Sequence, residues 1–185
     1  LFAGTNALTQ LDVSHNPELL ILTASNNQIA DINLTNNTKL TFLELTNNQL
    51  STIDLSHNPL LKKLHLTGNK LTTVDLSVHT QLRDAYMANN QLTSVTFGNI
   101  TTEGVFISVS NNHLTSLDVT RIPGVSTGSV FAANNMLTEI KCGDVKKLNV
   151  SGNRLTFATL PTGIKVSTYT YAPQQNMRIQ RDIEL

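Results

Sequence analysis

The chain has little charge, one cysteine and no tryptophan. Its 185 residues carry 13 Lys and Arg against 13 Asp and Glu, so the formal net charge is zero, and only 14% of the residues are charged. A protein that binds nucleic acid or an anionic membrane surface usually carries a basic excess that attracts the phosphates. This composition offers no such excess, and we expect no nucleic-acid partner.

Long apolar runs and disulfide bonds are also missing. No stretch reaches the 18 or more apolar residues that a membrane-spanning helix needs, so we expect no transmembrane segment. Cys142 is alone and cannot form a disulfide within the chain, which leaves the redox compartment open. No signal peptide is visible at the start. Leu1 and Ala3 instead fall inside a sequence repeat, which indicates a fragment of a longer protein.

What the chain does contain is an internal repeat marked by amide side chains. Nine amides follow one another at steps of 21, 21, 21, 21, 22, 23, 18 and 21 residues: Asn6, Asn27, Asn48, Asn69, Asn90, Asn112, Asn135, Asn153 and Gln174. A period in this range indicates a solenoid, in which one short unit stacks on itself. We therefore predict one domain over residues 1–185 with about nine turns. Its first turn is truncated, and residues 164–185 form a closing strand and an exit.

Each amide sits in the same apolar pattern, for example Leu61, Leu64, Leu66, Asn69 and Leu71. The alternation before the amide is typical of a strand. Stacked repeats place such strands side by side, about 4.8 Å apart, as a parallel sheet on the concave face. A second alternating pair later in each unit predicts a short extended segment. Only four or five residues then remain before the next unit, against about 11 in an average α-helix. We expect tight turns on the convex side and little or no α-helix.

The repeated amides have a structural explanation. A buried backbone group without a partner costs about 1–3 kcal/mol, and an amide both donates and accepts hydrogen bonds. The nine amides are thus predicted to form a structural ladder that satisfies the bend after each strand. Cys142, Tyr169 and Tyr171 fall at inward positions of the repeat, where we expect burial.

A second polar column could bind an ion. It consists of Asp12, Asn33, Asp54, Asp75 and Asp118. These side chains could hold calcium, but capping of their own turns explains them better. The histidines also lack a short metal-ligand spacing. We expect no metal site and no cofactor.

Residues 50–59 and 71–77 follow a consensus close to Leu-Thr-x-x-Asp-Leu-Ser-x-Asn-Pro. This consensus resembles the 21-residue leucine-rich repeat of internalin-J-like surface proteins, of the Gram-positive or Bacteroidetes type. The resemblance implies a right-handed leucine-rich-repeat solenoid, a bacterial cell-surface or secreted location, and adhesion or recognition of a host protein or glycan. Internalin J has a cysteine column at the third motif position. This chain has Ala24, Leu45, Leu66 and Met87 there, which argues against a shared ligand.

Side chains between the inward positions of the first strand project onto the concave face. Over neighbouring turns they form a predicted binding patch of aromatic and charged residues, which we call the concave patch: Phe42, Glu44, Lys63, His65, Asp84, Tyr86, Phe106 and Phe131. Exposed aromatics ringed by polar groups have the composition of a protein-interface hot spot. The simpler interpretation is that Glu44–His65 and Lys63–Asp84 are surface ion pairs, which contribute little.

An enzymatic site is not expected. Glu44 and Asp84 lie two turns apart, about 10 Å along the stack, whereas a glycosidase pair needs about 5–9.5 Å. No serine or cysteine sits beside a histidine with a third orienting group. Two functions remain open. One is a non-catalytic, monomeric module that binds protein or glycan on its concave face. The other is a passive spacer or targeting domain that positions another module, such as an enzyme, in a longer chain.

Overall fold

The computed structural model describes residues 1–175 as a stack of short parallel strands. The last ten residues, which belong to the predicted exit, lie outside the described residues. Eight strands form one sheet in the order β1-β2-β3-β5-β7-β9-β11-β12. Their bounds are Ile21–Thr23 (β1), Phe42–Glu44 (β2), Lys63–His65 (β3), Asp84–Tyr86 (β5), Phe106–Ser108 (β7), Ser129–Phe131 (β9), Val145–Asn149 (β11) and Val166–Thr170 (β12).

The second extended segments form two smaller parallel sheets. Thr73–Leu76 (β4) pairs with Ser94–Phe97 (β6), and Ser116–Asp118 (β8) pairs with Glu139–Lys141 (β10). No α-helix occurs within residues 1–175, and the helical segments there are 3₁₀ turns at Pro123–Ser126 and Phe157–Thr159. The predicted parallel sheet, the second extended segments and the scarcity of helix are thus confirmed.

The 3₁₀ turn at Pro123–Ser126 lies where the repeat is two residues longer than its neighbours. Pro123 occupies its first turn, where a missing N–H is tolerated and the fixed φ suits the helix. The turn buries Val125, which is 2% exposed, while the motif positions Gly104 and Thr127 are exposed. The insertion therefore supplies an apolar side chain that the repeat pattern does not show.

The core is one continuous apolar column inside the stack. The middle residue of each early strand is completely buried, as with Leu22, Leu43, Leu64 and Ala85. Each full burial of a leucine side chain stabilises the fold by roughly 1.5–3 kcal/mol. Because consecutive strands pair in register, every turn adds its leucines to the same column.

Amides at the strand ends tie each turn to its neighbours. The Nδ2 of Asn48 donates to the carbonyls of Ala24 at 2.9 Å and Leu45 at 3.1 Å, and its Oδ1 accepts the N–H of Ile29 at 3.0 Å. The same arrangement recurs at Asn27, Asn69, Asn90, Asn112, Asn135, Asn153 and Gln174. Asn6 is exposed and bonds only to carbonyls of its own turn.

A second buried polar column lies on the convex side, and the sequence analysis did not single it out. Asn58 is completely buried, and its Nδ2 donates to the carbonyls of Leu34 at 3.1 Å and Asn37 at 2.9 Å. Asn37 makes the equivalent bonds one turn earlier. His79 takes this position in the next turn and is also completely buried. Its signal in the sequence is the spacing of 21 between these three residues.

Exposed asparagines beside the buried ladder are more constrained than their exposure suggests. Asn26 and Asn47 have φ values of 56° and 54°, in the left-handed region that asparagine and glycine tolerate best. The Nδ2 of Asn47 donates to the Oδ1 of Asn26 at 2.9 Å. Asn89, Asn111 and Asn134 repeat both features further along the stack. These residues form a surface ladder along the rim of the concave face.

Two expected burials are wrong in degree. Tyr169 is 40% exposed, because no described turn follows β12 to cover it. Cys142 is only partly buried, in the unit that is three residues shorter than the others. Burial still raises the pKa of its thiol to about 11. Tyr171 is partly buried against the core.

Candidate binding surface

Strand register places the predicted concave patch on one face. Phe42 pairs with Lys63, Lys63 with Asp84, and Asp84 with Phe106, so these four share one row across the sheet. The other four lie in the parallel row of Glu44, His65, Tyr86, Ser108 and Phe131. All eight predicted residues are therefore brought together on five neighbouring strands. At about 4.8 Å per strand, the patch is roughly 19 Å long.

The aromatic members of the patch form one unbroken chain of ring contacts. Ring centroids are 5.1 Å apart for Phe42 and His65, 4.6 Å for His65 and Tyr86, 4.8 Å for Tyr86 and Phe106, and 5.2 Å for Phe106 and Phe131. Aromatic pairs at such distances are worth about 0.5–1.5 kcal/mol beyond the area they bury. We call these five rings the aromatic row.

Ring orientation in the row changes at His65. Tyr86 and Phe106 stack with an interplanar angle of 26°, and Phe106 and Phe131 are tilted by 31°. The imidazole stands nearly perpendicular to its neighbours, at 72° to Phe42 and 81° to Tyr86. The stacked rings cover one another's faces and present mainly their edges outward. All five rings are partly buried, so the row is semi-exposed.

The charged members of the patch behave differently from one another. Lys63 Nζ lies 3.8 Å from Asp84 Oδ2, as the ion-pair interpretation expected. No Glu44–His65 ion pair forms within residues 1–175; His65 packs against aromatic rings instead. Burial lowers the pKa of His65, and the carboxylates of Glu44 and Asp84 partly oppose this change. Burial also raises the pKa of Tyr86, with a further contribution from Asp84.

Two shallow hollows flank the aromatic row. One, of about 250 Å³, is lined by Thr46, His65, Thr67 and Tyr86. The other, of about 270 Å³, is lined by Ile21, Thr41, Phe42, Lys62 and Lys63. Ile21 and Lys62 were not among the predicted site residues, because the strand alternation gives no indication of where a hollow opens.

The acidic column on the second segment caps its own turns. The Oδ1 atoms of Asp12, Asp54, Asp75 and Asp118 each accept the backbone N–H two residues later, at 2.8–2.9 Å. The Thr120 hydroxyl and then its N–H lower the pKa of Asp118 by bonding to the carboxylate. Within residues 1–175, no group of three His, Cys, Asp or Glu side chains is placed to hold a metal ion. A polar hollow of about 400 Å³ lies between the turns that contain Asp31 and Asp54.

Comparison with known families identifies two of the repeats. Residues 36–56 and 57–78 each match the family model described as Leucine Rich repeat. The units outside these residues share their register, buried leucines and amide ladder. The fold is a leucine-rich-repeat solenoid. Leucine-rich-repeat domains typically serve as protein-interaction modules.

Two solved leucine-rich-repeat structures show a similar arrangement. One is titled as the functional domain of InlJ from Listeria monocytogenes, which includes a cysteine ladder. It is 20% identical, with a TM-score of 0.48, over 95% of this chain and 58% of that one. The other, the leucine-rich repeat domain of APL1B, is 20% identical, with a TM-score of 0.45, over 94% of this chain and 65% of that one. This chain thus spans less than two thirds of either. A comparison with curated protein sequences finds no match.

No helix within residues 1–175 is long and apolar enough to cross a membrane.

Proposed function

We propose that this leucine-rich-repeat domain is a non-catalytic module that binds a protein ligand through its concave face. The observation that carries the proposal is the aromatic row, which runs unbroken across five strands. A rigid parallel sheet holds the rings in place, so a ligand does not have to order them on binding. Aromatic residues with polar neighbours are the groups that most often dominate protein interfaces.

The ring geometry favours protein over glycan. A sugar ring packs its C–H groups on an open aromatic face. In this row, the faces of Tyr86 and Phe106 are occupied by each other at 4.8 Å. Ring edges and half-buried side chains suit the apolar side chains of a protein partner better. A passive spacer, the other function that the sequence leaves open, would need no aromatic row on its concave face.

We also propose that the domain is a monomeric part of a bacterial cell-surface or secreted protein. The resemblance of residues 50–59 and 71–77 to internalin-J-like repeats supports this location. Reading the gene on both sides of residues 1–185, followed by fractionation of the source cells, tests it. A cytoplasmic full-length protein contradicts it.

Binding can be tested before a natural ligand is known. Phage libraries displaying linear peptides and small protein domains would be selected on the immobilised protein, with a glycan array probed in parallel. The binders would then be measured against Tyr86→Ala and Phe42→Ala, and against the convex control variants His57→Ala and Gln81→Ala, all four confirmed to melt like the parent where the site is intact. Loss of a central aromatic anchor commonly costs about 2 kcal/mol or more of binding free energy, roughly 30-fold in affinity.

The outcomes separate the candidate functions. We expect displayed polypeptides to bind, with the concave variants about 30-fold weaker and the convex ones unchanged. Glycans binding in place of polypeptides, with the same dependence on Tyr86, would overturn the protein ligand but keep the concave face. Binding that depends on His57 or Gln81 alone, or no binding at all, contradicts the proposal and favours a spacer.

A further inference from the structure

One end of the aromatic row opens into an apolar corner. The hollow of about 270 Å³ beside Phe42 is lined mainly by apolar surface. Ile21 forms part of its wall and is 39% exposed, and the adjacent Leu20 is 54% exposed. Large apolar side chains with this exposure are uncommon in the described chain, and here two of them adjoin the semi-exposed ring of Phe42. The corner therefore continues the apolar surface of the row beyond the predicted patch.

Two cations beside this corner have no partner. Lys62 lines the hollow, and Arg83 follows it in the stack, with its N–H donating to the Lys62 carbonyl at 2.8 Å. The neighbouring lysines are already paired, Lys63 with Asp84 and Lys39 with Glu18. Within residues 1–175, neither the Lys62 ammonium nor the Arg83 guanidinium makes a salt bridge or a side-chain hydrogen bond. This corner thus carries two uncompensated positive charges in a chain whose formal net charge is zero.

We propose that the corner anchors an acidic, apolar peptide segment of the protein ligand. An apolar side chain of the segment fills the hollow against Ile21 and Phe42, and a carboxylate next to it binds Lys62 and Arg83. The rest of the segment continues along the aromatic row. This inference rests on the proposed function, because it names the chemistry of the partner that the concave face receives.

Charge complementarity selects this partner over a neutral or basic one. Exposed charges at an interface rim mainly set specificity and association rate, and they act over about 10 Å at 0.1 M salt. A basic segment would be repelled by both cations, and the carboxylates nearest to them, Asp84 and Glu18, are already paired. A carboxylate accepts hydrogen bonds from guanidinium in a two-pronged geometry, which adds orientation to attraction.

The test uses the linear peptides selected from the phage library on the native protein. The strongest binder would be synthesised in two forms, one as selected and one with every Asp and Glu replaced by Asn and Gln. Both would be measured by fluorescence anisotropy at 50 and 300 mM NaCl. The protein variants are Lys62→Gln/Arg83→Gln and a matched control, Lys146→Gln/Arg154→Gln, which removes one exposed lysine and one exposed arginine further along the stack.

We expect the selected peptides to carry Asp or Glu beside an apolar residue. The amide form should bind at least about tenfold more weakly at 50 mM NaCl, and the Lys62/Arg83 variant should lose a similar factor for the acidic form only. The Lys146/Arg154 control should match the parent, and 300 mM NaCl should weaken the acidic form more than the amide form. Equal affinity of the two peptide forms, or an unchanged Lys62/Arg83 variant, overturns the anchor.

Tyr86→Ala separates this inference from the one beneath it. If Tyr86→Ala weakens the peptides while Lys62→Gln/Arg83→Gln does not, the concave face is the binding surface and the acidic anchor is wrong. If Tyr86→Ala leaves every peptide unaffected, the proposed function itself fails. A selection that enriches no peptide contradicts both.

Discussion

The Oδ1 of Asn69 accepts the backbone N–H of Leu50 at 3.0 Å, although the two residues lie 19 positions apart in the sequence. The Nδ2 of the same side chain donates to the Leu45 carbonyl at 2.9 Å and the Leu66 carbonyl at 3.0 Å. One buried amide therefore joins the backbone of two consecutive turns. Apolar contacts alone would hold the turns together without setting the direction in which the chain bends.

Replacing Asn69 with leucine should reduce the free energy of unfolding by about 2–4 kcal/mol. The substitution leaves the Leu50 N–H and two carbonyls without a partner in a buried bend. Urea denaturation followed by circular dichroism measures the loss. Gln91→Leu is the matched control, since Gln91 is an exposed amide that follows a ladder residue and makes no side-chain hydrogen bond within the described chain. Equal losses in the two variants would refute the structural role of the ladder.

His79 should make the protein less stable in mild acid. The ring is completely buried, and neither nitrogen has a hydrogen-bond partner of normal geometry, although carbonyls of Leu55, Asn58 and Leu76 lie near it. Burial lowers the pKa of His79 below its ordinary value near 6.5, so the unfolded chain takes up the proton first. Its contribution to stability is complete above about pH 6.5 and is lost as the pH falls below that value.

The variant His79→Asn tests this contribution, because asparagine is the residue that the two preceding turns use at this position. Between pH 7.5 and pH 5, the parent should lose more unfolding free energy than the variant, by at most about 1.4 kcal/mol per pH unit below pH 6.5. Urea titrations at both pH values measure the difference. His15 and His57 are exposed, and His57→Asn serves as the control. Parallel pH profiles for the parent and His79→Asn would show that the buried imidazole does not report on folding.

Gly68 interrupts the surface ladder of asparagines, and Gly68→Asn should be neutral or stabilise the fold by up to about 1 kcal/mol. The backbone φ is 72°, close to the values of 54° and 55° at Asn47 and Asn89 in the flanking turns. A Cβ on Gly68 would lie 2.3 Å from the Asn47 Oδ1, a flexible side-chain end that can rotate away. Asn111 and Asn134 already coexist in this way, with a hydrogen bond of 2.9 Å.

Gly68→Val provides the contrast, since a β-branched residue at positive φ is strained. We expect it to lower the melting temperature clearly, whereas Gly68→Asn should melt at or above the parent. Differential scanning calorimetry of both variants is sufficient. If both melt well below the parent, the space beside Asn47 decides this position and not the backbone conformation.

The sequence by itself determined the solenoid and the inward face of each turn. The spacing of the amides and the alternation at Leu43 and Leu45 depend on local geometry, because side chains on a strand point to opposite faces. The same alternation placed Phe42 and Tyr86 on the concave face. Such features repeat in every turn, so one sequence contains the same signal many times.

Only the tertiary structure decided which neighbours those side chains meet. His65 could pair with Glu44 or pack between rings, and the register of three strands placed it against Phe42 and Tyr86. The hollow beside Ile21, the exposure of Tyr169 and the partners of His79 likewise depend on residues about 20 positions away in sequence. Stacking brings these residues together, and a single turn carries no record of the turn that will cover it.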